Sequence, residues 1–207
     1  MRIVVLGAAG GVGSRAVAAA VQQGHEVVAA ARTAVDSAGA RSLAVDVRDA
    51  AALRGAVDGS EVVLWCVGVT RRSGGDVGRT GMPLLVAALE QAGVRRLVSV
   101  SGAGVTLPDD VKGLGARLVS GATRRLARNL VLDKEGEHAA LAASSLDWTE
   151  VRPPRLVDRE PTGHWRLGEQ APGLTAKPVA KADVALAMLE LAGSSQWVRR
   201  APFLTAG

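Results

Sequence analysis

The stretch Gly7-Ala8-Ala9-Gly10-Gly11-Val12-Gly13 places glycines at a G-x-x-G-x-x-G spacing directly after the apolar run Ile3 to Leu6. Without side chains the backbone can turn tightly and approach a phosphate closely, and a helix starting there offers its free N–H groups and positive end to the anion. A purely structural turn is the alternative, but the position between a first strand and a first helix favours a dinucleotide. Gly7, Ala9, Gly10, Gly11, Val12 and Gly13 are therefore candidate cofactor-binding residues. The second strand ends in Ala30-Ala31-Arg32-Thr33, with no carboxylate to accept from a ribose 2′-hydroxyl. Arg32 would instead pair with a 2′-phosphate and select NADP(H), unless it is simply a solvated surface arginine. Asp46 and Val47, after the third strand, would bound the adenine; Asp46 would accept from its exocyclic amine, or else cap the next helix.

Composition narrows the chemistry further. The chain has 207 residues, with no tyrosine, one phenylalanine and one cysteine. The core must be aliphatic, and no phenolic acid or base is available to any mechanism. The five aromatic residues, four of them tryptophan, leave little for a base-stacking surface. The pI of about 10.3 is high because little besides lysine titrates just below arginine's range, while the net charge is only +5. Nucleic acid is not an expected partner, and the arginines at 124, 125 and 128 read as a solvated helix face. Cys66 can form no internal disulfide and suits a reducing compartment. The apolar run after Met1 and Arg2 is too short for a leader or a membrane span, so no membrane partner is expected. The expected location is the cytoplasm.

The elements that must hold these residues alternate. Strands are expected at 3–6, 26–30, 42–45, 61–67, 95–100 and 147–152, with a short one at 203–205. Helices are expected at 12–23, 48–57, 82–92, 117–129, 134–143 and 180–191. Gly68 to Gly81 reads as a mobile loop, Gly102 to Ser120 as irregular, and the chain from Pro153 to Ala176 as another long loop. Pro153-Pro154 stops its strand because proline cannot pair in a central ladder. Such alternation implies right-handed crossovers and an α/β fold: one doubly wound, Rossmann-type parallel sheet with helices on both faces, and a small C-terminal region on the substrate side. The whole of 1–207 is expected to form one domain.

With GAAGGVG, Arg32 and Val45-Asp46-Val47, three further stretches carry a resemblance: Arg96 to Ser101 (RLVSVS), Leu146 to Pro154 (LDWTEVRPP), and Lys181 to Val184 (KADV). Together they resemble the atypical branch of the short-chain dehydrogenase/reductase superfamily over nearly the whole chain. The likeness is to NAD(P)-binding proteins related to biliverdin reductase B (flavin reductase) and to NmrA-like regulators. It implies that Cys66, Val67 and Gly68 lie beside the cofactor ribose, that Ser101 is near the nicotinamide, and that Pro153, Pro154, Arg155 and Leu156 border it. The superfamily's catalytic pattern is a serine or threonine after the fifth strand plus Tyr-x-x-x-Lys on the next helix. Lys134 matches the lysine and would grip the ribose, or else be a helix-surface charge beside Glu135 and Glu137. Leu130 stands where the tyrosine belongs, and Gly102 where a second serine would follow Ser101.

Ser101 and Lys134 are thus the candidate catalytic residues, without the usual acid. Hydride transfer to a flavin, quinone or tetrapyrrole tolerates this loss, because a delocalised acceptor can take its proton from water or a weak acid. The chain therefore reads as an NADPH-dependent reductase or as a non-catalytic NADP(H)-sensing regulator. His138 and His164 are other proton sources, although a lone histidine is usually solvated. The substrate side would be built from loops at about 69–81, 103–115 and 155–173. Arg71, Arg72 and Arg79 could attract an acidic ligand or be solvated, so the expected substrate is a planar small molecule, with an anionic group where the arginines meet it. Trp165 is expected to anchor its loop and Trp65 to lie in the core. A monomer or weak homodimer is expected.

Overall fold

The computed structural model describes residues 1–70, 73–173 and 175–207. Its centre is a parallel sheet of six strands: β1 (Arg2–Leu6), β2 (Glu26–Ala31), β3 (Ala40–Ala44), β4 (Val62–Trp65), β5 (Arg96–Val100) and β6 (Asp147–Val151). They lie in the order β3-β2-β1-β4-β5-β6, so the chain winds outward from β1 in both directions, as the alternation predicts. Side chains alternate across each strand. Ile3 and Val5 enter one core with Val62, Leu64, Val98 and Val151; Val4 and Leu6 enter the other with Val63, Trp65, Leu97 and Trp148. Helices α1 (Gly11–Gln22) and α6 (Lys181–Ala192) cover the first face. Helices α2 (Ala50–Val57) and α3 (Val77–Ala92) cover the second, with α5 (Arg128–Ala143) against α3. Each fully buried Val, Leu or Ile is worth about 1.5–3 kcal/mol, so two aliphatic layers hold the sheet with few aromatics.

Several boundaries differ from expectation. Helix α3 begins at Val77, five residues before Met82, inside the stretch read as a mobile loop. The cause lies elsewhere in the chain: the buried Asp133 carboxylate on α5 accepts from the Gly78 and Arg79 N–H groups and caps the early first turn. Arg79 consequently belongs to a helix, while Arg71 and Arg72 lie outside the described residues. The preceding loop is held by Arg48, which donates to the Ser73 carbonyl and the Asp76 carboxylate at 2.7 Å each. Helix α4 (Leu114–Leu126) starts three residues earlier than expected. The long loop after β6 contains β7 (Leu156–Val157) and β8 (Trp165–Gly168). β7 pairs with β9 (Val179–Ala180), and β8 pairs antiparallel with β10 (Phe203–Ala206). Trp165 packs against the first core and anchors its loop, and Trp65 is fully buried, both as expected.

Gly78 lets α3 and α5 touch: a Cβ there would land on the Glu137 carboxylate and lie 2.6 Å from Asp133 Oδ2. Replacing Gly78 by alanine should destabilise the protein by about 1–3 kcal/mol, as overpacking does. The matched change Gly55→Ala, in α2 with open space around it, should stabilise by about 0.5–1 kcal/mol. Urea unfolding of both variants checks the contrast, which fails if Gly78→Ala is neutral.

Candidate functional site

The candidate residues gather at the carboxyl ends of the strands. Gly7 leaves β1 with φ +84°, and a Cβ on it would sit 2.7 Å from the Cys66 backbone carbonyl, so a side chain is excluded both conformationally and sterically. Gly13 packs so closely that a Cβ would fall on the Gly7 carbonyl, which brings α1 down onto the turn. The Gly10 N–H donates to the Gly7 carbonyl at 2.9 Å and closes the loop, with Ala9 inside it. Helix α1 then starts at Gly11 with no side-chain cap and no acidic residue in its first turn, leaving Gly11, Val12 and Gly13 as an anion cradle.

Arg32 follows β2 directly and is exposed at that strand's carboxyl end. Asp46 is exposed and accepts from the Arg48 N–H at 2.9 Å. It does not cap the next helix, because Asp49 does so by accepting from Ala51 and Ala52. Val47 is buried beside it. Cys66, Val67 and Gly68 follow β4, each half-buried. Burial pushes the Cys66 thiol up to about 12, against a smaller opposing pull from the Lys134 ammonium, so the thiol is a poor nucleophile at neutral pH.

Ser101 follows β5, and its Oγ is buried with no hydrogen-bond partner among the described residues. Lys134 is not a surface charge. It is 5% exposed, and its ammonium donates to the Val67 carbonyl (2.9 Å), the Val100 carbonyl (3.0 Å) and the Glu137 carboxylate (2.8 Å). An ammonium has three donors, so this set is complete, and the lysine holds the chain after β4 and the end of β5 together as a shelf. Leu130, one turn earlier, is 37% exposed and offers no proton. The buried Pro153 carbonyl accepts from Ala103 at 2.8 Å and ties the end of β6 to the loop after Ser101; Pro154, Arg155 and Leu156 continue from there into β7.

Three charged residues of the site had no role in the sequence reading. The Lys181 side chain lies over Gly11, where a Cβ would meet its Nζ at 3.0 Å, and it donates to Asp158 at 2.6 Å. Arg15 donates to the other oxygen of Asp158 at 2.8 Å. Two cations bridged by one carboxylate therefore sit at the start of α1, where a pyrophosphate would bring its own charge. The only sequence signal was Lys181 within the KADV stretch; Arg15 and Asp158 are 143 residues apart. His164 is exposed. His138 is largely buried rather than solvated on a surface: it pairs with Glu150 beside a cavity of about 780 Å³. Among the described residues no cluster of His, Cys, Asp and Glu could hold a metal, and no helix is long and apolar enough to cross a membrane.

A doubly wound parallel sheet with a glycine cradle between its first strand and first helix defines a dinucleotide-binding protein. Residues 7–195 match the NAD(P)H-binding family, and the chain belongs to it. An uncharacterized protein of Mycobacterium tuberculosis (strain ATCC 25618 / H37Rv) is 38% identical over 103 residues, 49% of this chain. The matched stretch spans only 12% of that relative's length. Among solved structures, the oxidoreductase ylbE from Lactococcus lactis superposes with a TM-score of 0.82 at 19% identity, covering 100% of this chain and 91% of that one. ChuY, an anaerobilin reductase from Escherichia coli O157:H7, gives 0.76 at 21% identity, covering 100% and 97%. A short-chain dehydrogenase/reductase from Veillonella parvula DSM 2008, in complex with NADP, gives 0.77 at 19% identity, covering 99% and 94%. These likenesses concern the fold, which is that of NAD(P)-binding oxidoreductases.

Glu137 makes the shelf sensitive to pH. Burial pushes its carboxyl up to about 7, Lys134 opposes this, and Asp133 and Glu150 add to the rise. The folded state therefore holds the proton more tightly than the unfolded chain. This contribution to stability is complete below the unfolded value of 4.5 and is lost as pH rises through about 7. Glu137→Gln should flatten the fall in stability between those values in urea unfolding; an unchanged slope would assign the effect elsewhere.

Proposed function

We propose that the protein is an NADPH-dependent oxidoreductase that transfers hydride to a planar conjugated acceptor of the flavin, quinone or tetrapyrrole kind without a catalytic tyrosine. The observation that carries this reading is the cavity of about 780 Å³ whose wall includes Arg152, the residue directly before Pro153 and Pro154. Leu107 to Ala116 and Glu169 to Gly173 contribute to it, which are two of the loops expected on the substrate side. Its size is in the range that takes a small organic ligand, and Trp148 and Trp197 supply flat apolar surface within it. In this reading Gly7 to Gly13 hold the pyrophosphate with Lys181 beside them, Arg32 meets the 2′-phosphate, and Asp46 and Val47 bound the adenine. Cys66 to Gly68 flank the ribose on the Lys134 shelf. Ser101 and Pro153 to Leu156 frame the nicotinamide, so that hydride leaves toward the acceptor. The bound cofactor supplies the hydride; the protein supplies position and keeps water out. Such a reductase would work in the cytoplasm as a monomer or weak homodimer.

The complete hydrogen-bond set of Lys134 favours a second reading, a cofactor-sensing regulator of the NmrA-like kind, because no side chain at the usual place is left to move a proton. NADPH oxidation with flavin mononucleotide, a quinone and biliverdin as acceptors, beside a fluorescence titration of NADPH, separates the two. Turnover on one acceptor is expected, and tight binding with none on any would favour the regulator. Two variants test the cofactor assignment together. Arg32→Ala should weaken NADPH at least tenfold more than NADH, whereas Lys181→Ala should weaken both alike, since the pyrophosphate is common to them. Equal losses for Arg32→Ala would refute the preference for NADPH.

A further inference from the structure

Leu130 offers no proton, but α5 carries an imidazole elsewhere. His138 stands one turn beyond Lys134 and lines the cavity assigned above to the acceptor. Its Nδ1 lies 2.7 Å from Oε2 of Glu150 on β6, whose side chain is 2% exposed. Trp148, from the same strand face, meets the imidazole edge to face at 5.6 Å between ring centroids and 87° between planes. A buried carboxylate and an indole thus fix the ring from two sides. With Nδ1 committed to Glu150, Nε2 is the nitrogen left to act on a ligand in the cavity. The imidazole retains 16% side-chain exposure, so it can exchange its proton with solvent.

Resting on the reductase reading, we infer that His138 is the acid that protonates the acceptor and that Glu150 positions it. NADPH gives a hydride, two electrons with a hydrogen, to the acceptor and leaves as NADP⁺. The Nε2–H bond of the imidazolium breaks, its proton forms a bond to the acceptor's heteroatom, and the neutral imidazole recovers a proton from solvent. Glu150 accepts from Nδ1–H and stabilises the imidazolium. Its second oxygen, Oε1, is buried without a protein partner, so its remaining electrostatic influence is free to act on the imidazolium. Ser101 then orients the nicotinamide or acceptor rather than supplying the proton.

The charged groups around the imidazole allow this. Glu137 and Lys134 on its own helix are paired with each other. Arg152, directly after β6, is paired through both terminal nitrogens with Asp110, at 2.7 and 2.8 Å, and Lys112 lies 3.4 Å from that same carboxylate. Arg199 is spent on the carbonyls of Ser144, Leu146 and Ala142. Asp109, Glu169 and Arg200 complete the charged lining. Glu150 is the one carboxylate bonded directly to the imidazole.

The test uses whichever acceptor the wild-type protein reduces. His138→Ala should lower kcat about 10²-fold, the usual worth of a positioned acid, with NADPH affinity unchanged. The wild-type rate should fall as pH rises and the imidazole loses its proton, and His138→Ala should lack that limb. Added imidazole should restore part of the rate in His138→Ala, which a merely structural role would not allow. Glu150→Gln should move the limb to lower pH with a smaller loss. Wild-type turnover, pH profile and no response to imidazole in His138→Ala would overturn the inference while leaving the reductase reading intact. A wild-type protein that binds NADPH and reduces no acceptor would overturn both.

Discussion

The Lys134 ammonium joins three parts of the molecule that nothing in the local sequence brings together. It draws the carbonyls that follow β4 and end β5 toward α5, and its charge is balanced by Glu137 on the same helix. The residue before it, Asp133, caps α3. One turn of α5 therefore sets the level of the strand ends and the start of the neighbouring helix together. A buried ion pair of this kind adds little net stability, yet losing one partner costs about 3–5 kcal/mol because the other charge is stranded. Its worth is geometric: the strand ends are held where a dinucleotide would cross them.

The opposite half of the site depends on contact rather than charge. Gly7 and Gly13 bring β1, α1 and the Cys66 backbone within distances that admit no side chain. The Lys181 chain closes over Gly11 from α6. This side of the site is therefore built from backbone and two cations, and the other from a buried polar layer on the α5 side of the sheet. The two halves depend on different residues, so the absence of a tyrosine from the chain leaves the glycine contacts unaffected.

Much of the fold was legible. The double-faced hydrophobic run Ile3 to Leu6, the glycine spacing and the alternation of strands with helices predict the six-stranded sheet, because each is a local pattern with a local cause. The start of α3 was not legible, since its cap comes from Asp133, 55 residues away. Nor were β7, β8 and β9, whose short strands carry too little periodicity and are stabilised by pairing; the short strand expected at 203–205 is present as β10, but its antiparallel partner β8 was not foreseen. Within the site, Arg32 stands where its strand end placed it, whereas Lys134 read equally as a surface charge and Lys181 had no assigned role.

Two properties of this protein were settled by sequence alone: the glycines at 7, 10, 11 and 13, which bring no side chain to the turn after the first apolar run, and the absence of any phenol. Packing creates no side chain that the chain lacks, so those statements stand in every conformation. The tertiary structure decided which charges are buried and which groups meet. Glu150 and His138, 12 residues apart, join across a helix and a strand; Arg15 and Asp158 join across nearly the whole chain. Such pairings are set by how helices seat on the sheet, and the distances of about 3 Å that give hydrogen bonds their direction exist only once that seating is complete.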